Sequence, residues 1–547
     1  MGSHVGDYSQ VYGFQEAGMR MNLKRKDINT RTKNSILNVM TSFGGQILLT
    51  LLRFVTRTVF ISTLGKTYLG VNGYFADIIN MLSLTELGFD TAINFKLYKP
   101  LAEHDEKRVR VLMNFYKAAY RGVGLAILGI GLILLPLLPY LIQDYSTLAD
   151  IGINAPLVYI LFLLQSVSSY LFFAYRAAIM QANQKKYILD IADYSIIILT
   201  NLVQILVLIF LRDFIIYTIT VIVFNLLQNL LNAYITQRYY PEYFIKEKEK
   251  LSTEEIRDLF KDCGALFIYK INGTVLKASD NMVLGAFAGL TVVGLYSNYL
   301  LIFSSLRSFL RRFYTAVKAS TGNLFATEGV EKKYRFFETM NYITILLYGT
   351  AAVGVAVCGN EFITTWVGAD YAIPQPFPIL IGIEILISGL KQNLSQIRTV
   401  TGAFRQMWYR PLIGVIINIV VSIALVQVWG IYGVIVGTIV ADLSTSFVVD
   451  PPVIHRICFD NYKPVSNYYK KNLIYIALLA ILCAGNMYIS NIFLVGHKWI
   501  SVIVHALIVM ITVPVAYVCI YWKTAECKYL RNLGMKTIKK ITHRARG

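Results

Sequence analysis

Arg53 and Arg57 stand one helical turn apart inside an apolar run, and Arg307 and Arg311 repeat that spacing in another. Lys270 and Lys277 lie two turns apart on one face of a third run, and Lys391 and Arg398 do so on a fourth. A guanidinium presents a planar fork that meets phosphate or carboxylate with paired, charge-assisted hydrogen bonds; an ammonium adds a point charge. Charges set deep in apolar runs are costly and face a partner or a water-filled cavity. These eight residues therefore point to a positive cavity and an anionic ligand. Two plainer roles compete. Snorkelling to a span end suits Arg57 and Arg176, and local ion pairing suits Lys277 with Asp280 three residues on. The acids embedded in apolar runs are Asp77, Glu86, Asp90, Glu384 and Asp442, candidates for holding H+ or Na+ from a gradient. Asp442 has no basic neighbour one turn away, so a neutral, hydrogen-bonded acid is its alternative.

No other constellation carries chemistry. Cys263, Cys358, Cys458, Cys483, Cys519 and Cys527 form no CxxC or Cys/His spacing, so neither a metal site nor a disulfide is expected. Gly65-Lys66-Thr67 resembles the end of a phosphate-binding loop, but Phe60 stands where that loop requires glycine. HExxH, GxSxG and dinucleotide fingerprints are absent. The expectation is a protein that is not an enzyme and has no cofactor.

The elements that must position these charges are long apolar helices. The chain has 547 residues, of which 56% are hydrophobic and 15% charged, with a mean hydropathy of +0.53. Apolar runs of ~20 residues suit a hydrocarbon core of ~30 Å, whereas a membrane barrel would show ~10-residue alternating segments. The fold class is all-α and polytopic, with about fourteen spans running from 34–63 and 68–95 to 470–490 and 498–522. Residues 1–20 read as a leader ahead of a natural start at Met21. The expected organisation is an N-terminal lobe over 21–238, a linker over 239–259, a C-terminal lobe over 260–456, two further spans over 457–522 and a basic tail over 523–547. Within the linker, Ser252 and Glu255 have capping-box spacing and predict the start of a short amphipathic helix.

Alternate loops carry most of the basic residues, from Lys99, Lys107, Arg108 and Arg110 to the tail, while the opposite loops offer Lys66, Arg212 and Lys498. This positive-inside asymmetry places both termini in the cytoplasm. It also explains much of the net charge of +20 as basic loops beside anionic lipid, so nucleic acid is not an expected partner. The opposite loops are short and leave no room for a catalytic domain.

An internal repeat runs through these spans. Leu64 to Phe75 (LGKTYLGVNGYF) and Ala288 to Tyr299 (AGLTVVGLYSNY) align at an offset of 224, matching Gly65 with Gly289, Thr67 with Thr291 and Gly70 with Gly294. Six spans separate the copies. An even number gives parallel repeats related by an axis along the membrane normal, as in carriers that rock one half against the other.

The stretches Leu51 to Gly70, Thr85 to Glu103, Tyr175 to Ile188 and Gly430 to Leu443 resemble the polysaccharide-unit flippases of the multidrug/oligosaccharidyl-lipid/polysaccharide (MOP) exporter superfamily. Arg53 matches that family's first-helix arginine, and Leu87 to Ile93 (LGFDTAI) its second-helix signature. The resemblance implies two six-helix lobes forming a V around a basic cavity, with two extra helices accommodating a lipid tail. It implies transport of undecaprenyl-pyrophosphate-linked oligosaccharides from inner to outer leaflet of a bacterial plasma membrane, beside a polysaccharide polymerase and chain-length machinery. A multidrug exporter of the same superfamily is the second reading. It fits the buried cations poorly, since its cargo would be cationic. A membrane glycosyltransferase or polymerase is the third, and it lacks the outer catalytic loop it would need.

Overall fold

The computed structural model describes residues 9–83, 89–245, 247–402, 407, 409–492 and 498–532. Among them the regular structure is helical throughout. The helices are α1 (Ser9–Leu82), α2 (Phe89–Ala102), α3 (Glu106–Leu134), α4 (Leu138–Leu141), α5 (Ala155–Leu171), α6 (Ala177–Ala182), α7 (Lys186–Phe210), α8 (Phe214–Tyr239) and α9 (Thr253–Phe287). They continue as α10 (Leu290–Thr327), α11 (Val330–Trp366), α12 (Phe377–Thr401), α13 (Arg410–Trp429), α14 (Ile431–Asp442), α15 (Asp450–Phe459), α16 (Val465–Ile492) and α17 (Lys498–Ile520). Ten of the described helical segments are long and apolar enough to cross a membrane, or eleven if the bent pair Ala155–Leu171 and Ala174–Ala182 is one span. The protein is thus an all-α, polytopic membrane protein. The expected first span and most of the second lie in α1, on either side of a break at Gly65. The expected eighth coincides with α10, which is not among the ten and carries Arg307, Arg311, Arg312 and Lys318.

Helix ends follow from local chemistry. Gly65 breaks α1 with φ 85° and ψ −173°, and its repeat partner Gly289 starts α10 with φ 83° and ψ 160°. Both occupy left-handed φ, which glycine adopts without steric cost. Asp213 caps α8 by accepting from the Ile216 N–H at 2.8 Å. The capping box forms as its spacing predicts, with the Ser252 N–H donating to Glu255 at 2.9 Å and the Glu255 N–H to Ser252 Oγ at 3.2 Å. The helix it starts is not short, however. α9 runs without a break through the expected seventh span, because no glycine or proline stop follows the cap closely.

The helices sort into two compact units. The first comprises Met1–Val59, Thr85–Leu132 and Ile160–Ala265; the second comprises Phe60–Leu84, Ile133–Tyr159 and Leu266–Gly547. Division by contact therefore differs from division by chain order, because the segments Phe60–Leu84 and Ile133–Tyr159 pack with the second half of the chain.

In the first unit the linker is strapped to the start of α3. Lys107 pairs with Glu249 at 2.6 Å, Arg110 with Glu247 at 3.4 Å, and Arg108 with Glu255. In the second unit, α16 and α17 pack on α11. Lys471 bridges Glu338 at 2.6 Å and Glu526 at 2.7 Å, and His505 meets Glu361 at 2.8 Å. An aromatic core of Phe325, Tyr334, Phe337, Phe459 and Tyr468 holds α10, α11, α15 and α16 together. Burying such rings supplies much of the packing energy, at ~25 cal/mol per Å².

Candidate functional site

α10 carries Arg307 and Arg311 on one face, one turn apart. The Arg307 guanidinium donates to Glu384 Oε1 on α12 at 3.3 Å and lies over the Phe303 ring at 4.8 Å from its centroid. Arg311 is exposed, with no acid partner among the described residues. Two turns beyond Glu384, Lys391 Nζ donates to Asp442 Oδ1 at 2.5 Å. Asp442 closes α14 where the helix widens into a π-type turn over Leu443–Phe447, a distortion frequent at functional sites. The local sequence shows Asp442 no partner, and the neighbouring helix supplies one.

Arg398 has a different setting. It donates to Asp450 at 2.9 Å, and Arg410 pairs with the same carboxylate at 3.1 Å while donating to Ser446. All three are buried, Asp450 completely. The charge of Arg398 is thus used inside the fold: two guanidiniums share one acid, and losing that acid would leave both unpaired out of water.

A second cluster gathers around Asp280 on α9, which the sequence suggests only as an ion-pair partner of Lys277. Thr438 Oγ1 on α14 lies 3.0 and 3.1 Å from its two oxygens, and Tyr296 on α10 donates to it at 3.4 Å. Asn418 on α13 donates to Thr438 Oγ1 at 2.9 Å and accepts from Ser279 at 2.9 Å. One residue on, Asn281 donates to Asp77 in α1. The hydroxyls of Tyr296 on α10 and Thr438 on α14 thus donate to one buried carboxylate of α9, and Asn418 of α13 braces Thr438. A buried carboxylate ringed by hydroxyls can exchange a proton, and hydroxyls that turn their lone pairs inward can join it on a small hard cation. The signal legible in the sequence is an acid within an apolar run, three residues from Lys277; Asn418 and Thr438 give none.

In the first unit Arg53 is exposed, with no acid partner among the described residues, and Arg57 is half-buried. Arg57 interacts with Tyr217, which is hydrogen-bonded to Gln204. Arg176 donates to Gln237 at 2.7 Å and sits against the rings of Phe173 and Phe244. Glu86 and the side chains of Asp90, Lys270 and Lys277 lie outside the described residues. Cys358, Cys458, Cys483, Cys519 and Cys527 are free thiols, and no group of acids, histidines and cysteines suited to a metal occurs among the described residues.

No family model and no curated protein matches the chain. Solved structures do. A lipid II flippase MurJ, in an inward closed conformation, superposes with a TM-score of 0.59 at 14% identity, covering 89% of this chain and 99% of that one. The chain has the fold of the MOP-superfamily transporters. A multidrug resistance MATE family transporter of that superfamily, in an inward-facing conformation, matches with a TM-score of 0.51 at 14% identity, over 75% of this chain and 94% of its own. The structural relatives of this MOP fold are transporters, not enzymes.

Proposed function

We propose that the protein is a flippase carrying undecaprenyl-pyrophosphate-linked oligosaccharide units from the inner to the outer leaflet of a bacterial plasma membrane, by alternating access. The units would feed surface polysaccharide assembly (capsule, O-antigen or exopolysaccharide), with a polymerase and chain-length machinery as downstream partners. The observation that carries this reading is the row of Arg307, Arg311 and Lys391 in a fold shared with a lipid II flippase. Arginine forks and an ammonium suit a pyrophosphate. Arg53 and Arg57 in the first unit and Lys270 and Lys277 on α9 are further cation candidates, each by its own place in the chain; Arg398 is held by Asp450 and is left out. Fourteen spans, both termini cytoplasmic, complete the topology, and α16 and α17 are the helices that accommodate the lipid tail. Asp280, with Thr438, Asn418 and Tyr296, holds the coupling H+ or Na+, and Asp77, Glu86 and Asp90 are further coupling candidates on the second span.

The test is leaflet exposure of a labelled lipid-pyrophosphate oligosaccharide in liposomes holding the purified protein. Arg307→Ala and Arg311→Ala should each slow flipping by about tenfold or more, as expected for loss of a charge-assisted hydrogen bond. Normal flipping in both variants would sink the cargo assignment. Export of organic cations is the second reading, favoured by the buried Asp280 and the MATE-like fold. Transport of a cationic dye with no response to lipid-pyrophosphate would replace the first reading with it.

A further inference from the structure

The pairs Arg307–Glu384 and Lys391–Asp442 share one design. In each, the cation's side chain is 27% exposed and the acid's 9%. A charge exposed at hydrocarbon depth needs water or a ligand in front of it. The acid therefore sits behind its cation, and the cation's open side faces wherever a ligand arrives. Glu384 is faced by Arg307 and Tyr296 from α10 and by Asp280 from α9. Asp442 is faced by Lys391 from α12 and Asp450 from α15, and Tyr348 of α11 lies near Arg307. Next to the first pair, Arg311 is exposed without an acid of its own among the described residues.

We propose that Glu384 and Asp442 are placeholders for the cargo's phosphates: they neutralise Arg307 and Lys391 in the empty carrier and are displaced when a pyrophosphate binds. This rests on the lipid-pyrophosphate reading of the same site. On arrival, phosphate oxygens take over the Arg307 Nη1–H and Lys391 Nζ–H bonds. Each displaced carboxylate is left beside other acids in a poorly hydrated place, where a carboxylate holds a proton far more readily than when paired. It takes that proton from the aqueous phase. When the cargo leaves, the proton returns to water and the ion pair re-forms.

The sign of this coupling matters. Cargo and proton reinforce each other at Glu384 and Asp442, and by linkage the effect is reciprocal. An inward proton gradient therefore cannot drive outward cargo movement through these two acids. Their task is to let the empty carrier return without bare buried cations. A driving ion must be held elsewhere, and Asp280 has no ion pair among the described residues.

The experiment is calorimetric titration of the purified full-length protein with farnesyl pyrophosphate, in buffers of different ionisation enthalpy near pH 7.5. Wild type should take up about one proton per displaced acid beyond the probe's own titration. Glu384→Gln and Asp442→Asn should each reduce that uptake and tighten probe binding by about tenfold, because the competing charge is gone. Two variants on different helices, checked by thermal melting, guard against a single misfolded protein. Probe binding with no extra proton uptake, or variants that bind no tighter, would overturn the placeholder role and leave the cargo reading standing. No binding by wild type would instead remove the cargo reading itself.

Discussion

Thr67 and Thr291, 224 residues apart in the chain, meet hydroxyl to hydroxyl at 3.1 Å. That separation is the repeat offset, so each threonine touches its own counterpart. The surrounding contacts are reciprocal in the same way. A Cβ on Gly70 would collide with the Leu290 carbonyl oxygen, and one on Gly294 would collide with the Lys66 carbonyl oxygen. Lys66 and Leu290 are themselves repeat partners. Residue i touching j′ while i′ touches j is the signature of a two-fold axis, here passing between α10 and the part of α1 after Gly65.

Gly70→Ala and Gly294→Ala should each force these helices apart. The added methyl meets backbone carbonyls, which cannot swing away as a side chain can. Overpacking of this kind costs ~1–3 kcal/mol. Thermal melting of purified protein should fall for both, while Gly73→Ala, whose nearest obstacle would be the Ser297 hydroxyl at 3.1 Å, should change little. Equal melting for all three would remove the axis contact as a stability determinant.

Asp450 compensates two guanidiniums, and its removal should be among the most damaging single changes in the second unit. Asp450→Ala leaves Arg398 and Arg410 buried without an anion, at a cost of ~3–5 kcal/mol. Folded yield in detergent should collapse, and Arg398→Met in the same chain should restore part of it by removing one stranded charge. A stable Asp450→Ala protein would mean that the triad opens to water in solution.

Asp280→Asn should separate ion dependence from folding. Asparagine keeps the shape and can still accept from Thr438, but it can neither take up a proton nor supply a charge. Flipping in liposomes should lose its response to an imposed Na+ or pH gradient while protein yield is retained. An unchanged gradient response would move the coupling ion away from this cluster and toward Asp77.

The linker strap is a surface device, and it should loosen with acid and salt. The backbone N–H of Ser252, followed by the Arg108 side chain, holds the Glu255 carboxyl below its usual value of 4.5. Backbone N–H groups, that of Glu249 first, do the same for Glu247. Because the folded-state values are depressed, these groups contribute above the ordinary carboxylate range, and the contribution is lost as pH falls below it. Hydrogen exchange over residues 247–255, corrected for intrinsic rates, should rise as pH falls from about 5 to about 3 and also on raising salt from ~0.1 to ~1 M, where screening shortens to a few ångströms. Exchange indifferent to both would show that the strap is held by packing alone.

Part of the site is legible in the amino-acid sequence. Arg307, Arg311 and Lys391 stand out because a charge within an apolar run is conspicuous on depth alone. The repeat stands out because Gly65 and Gly289 hold positive φ, a demand that keeps glycine at both places. Arg398 has the same sequence signature as Lys391, yet it is buried against Asp450. Depth along a helix is read from the chain, whereas the face a residue presents, and to what, is not.

The class, the approximate span positions, the positions of the charges and the internal repeat all follow from the order of the amino acids. These are one-dimensional properties: hydropathy, spacing and local φ demand act within a few residues. Helix packing is what sets Glu384 against Arg307, 77 residues away, and Asp442 against Lys391, 51 residues away. It alone assembled Asp280, Tyr296, Asn418 and Thr438 from four helices. Such meetings depend on how each helix is rotated about its axis and which ridges pack into which grooves. Charges that the chain presents as separate sets of cations and acids thereby become pairs.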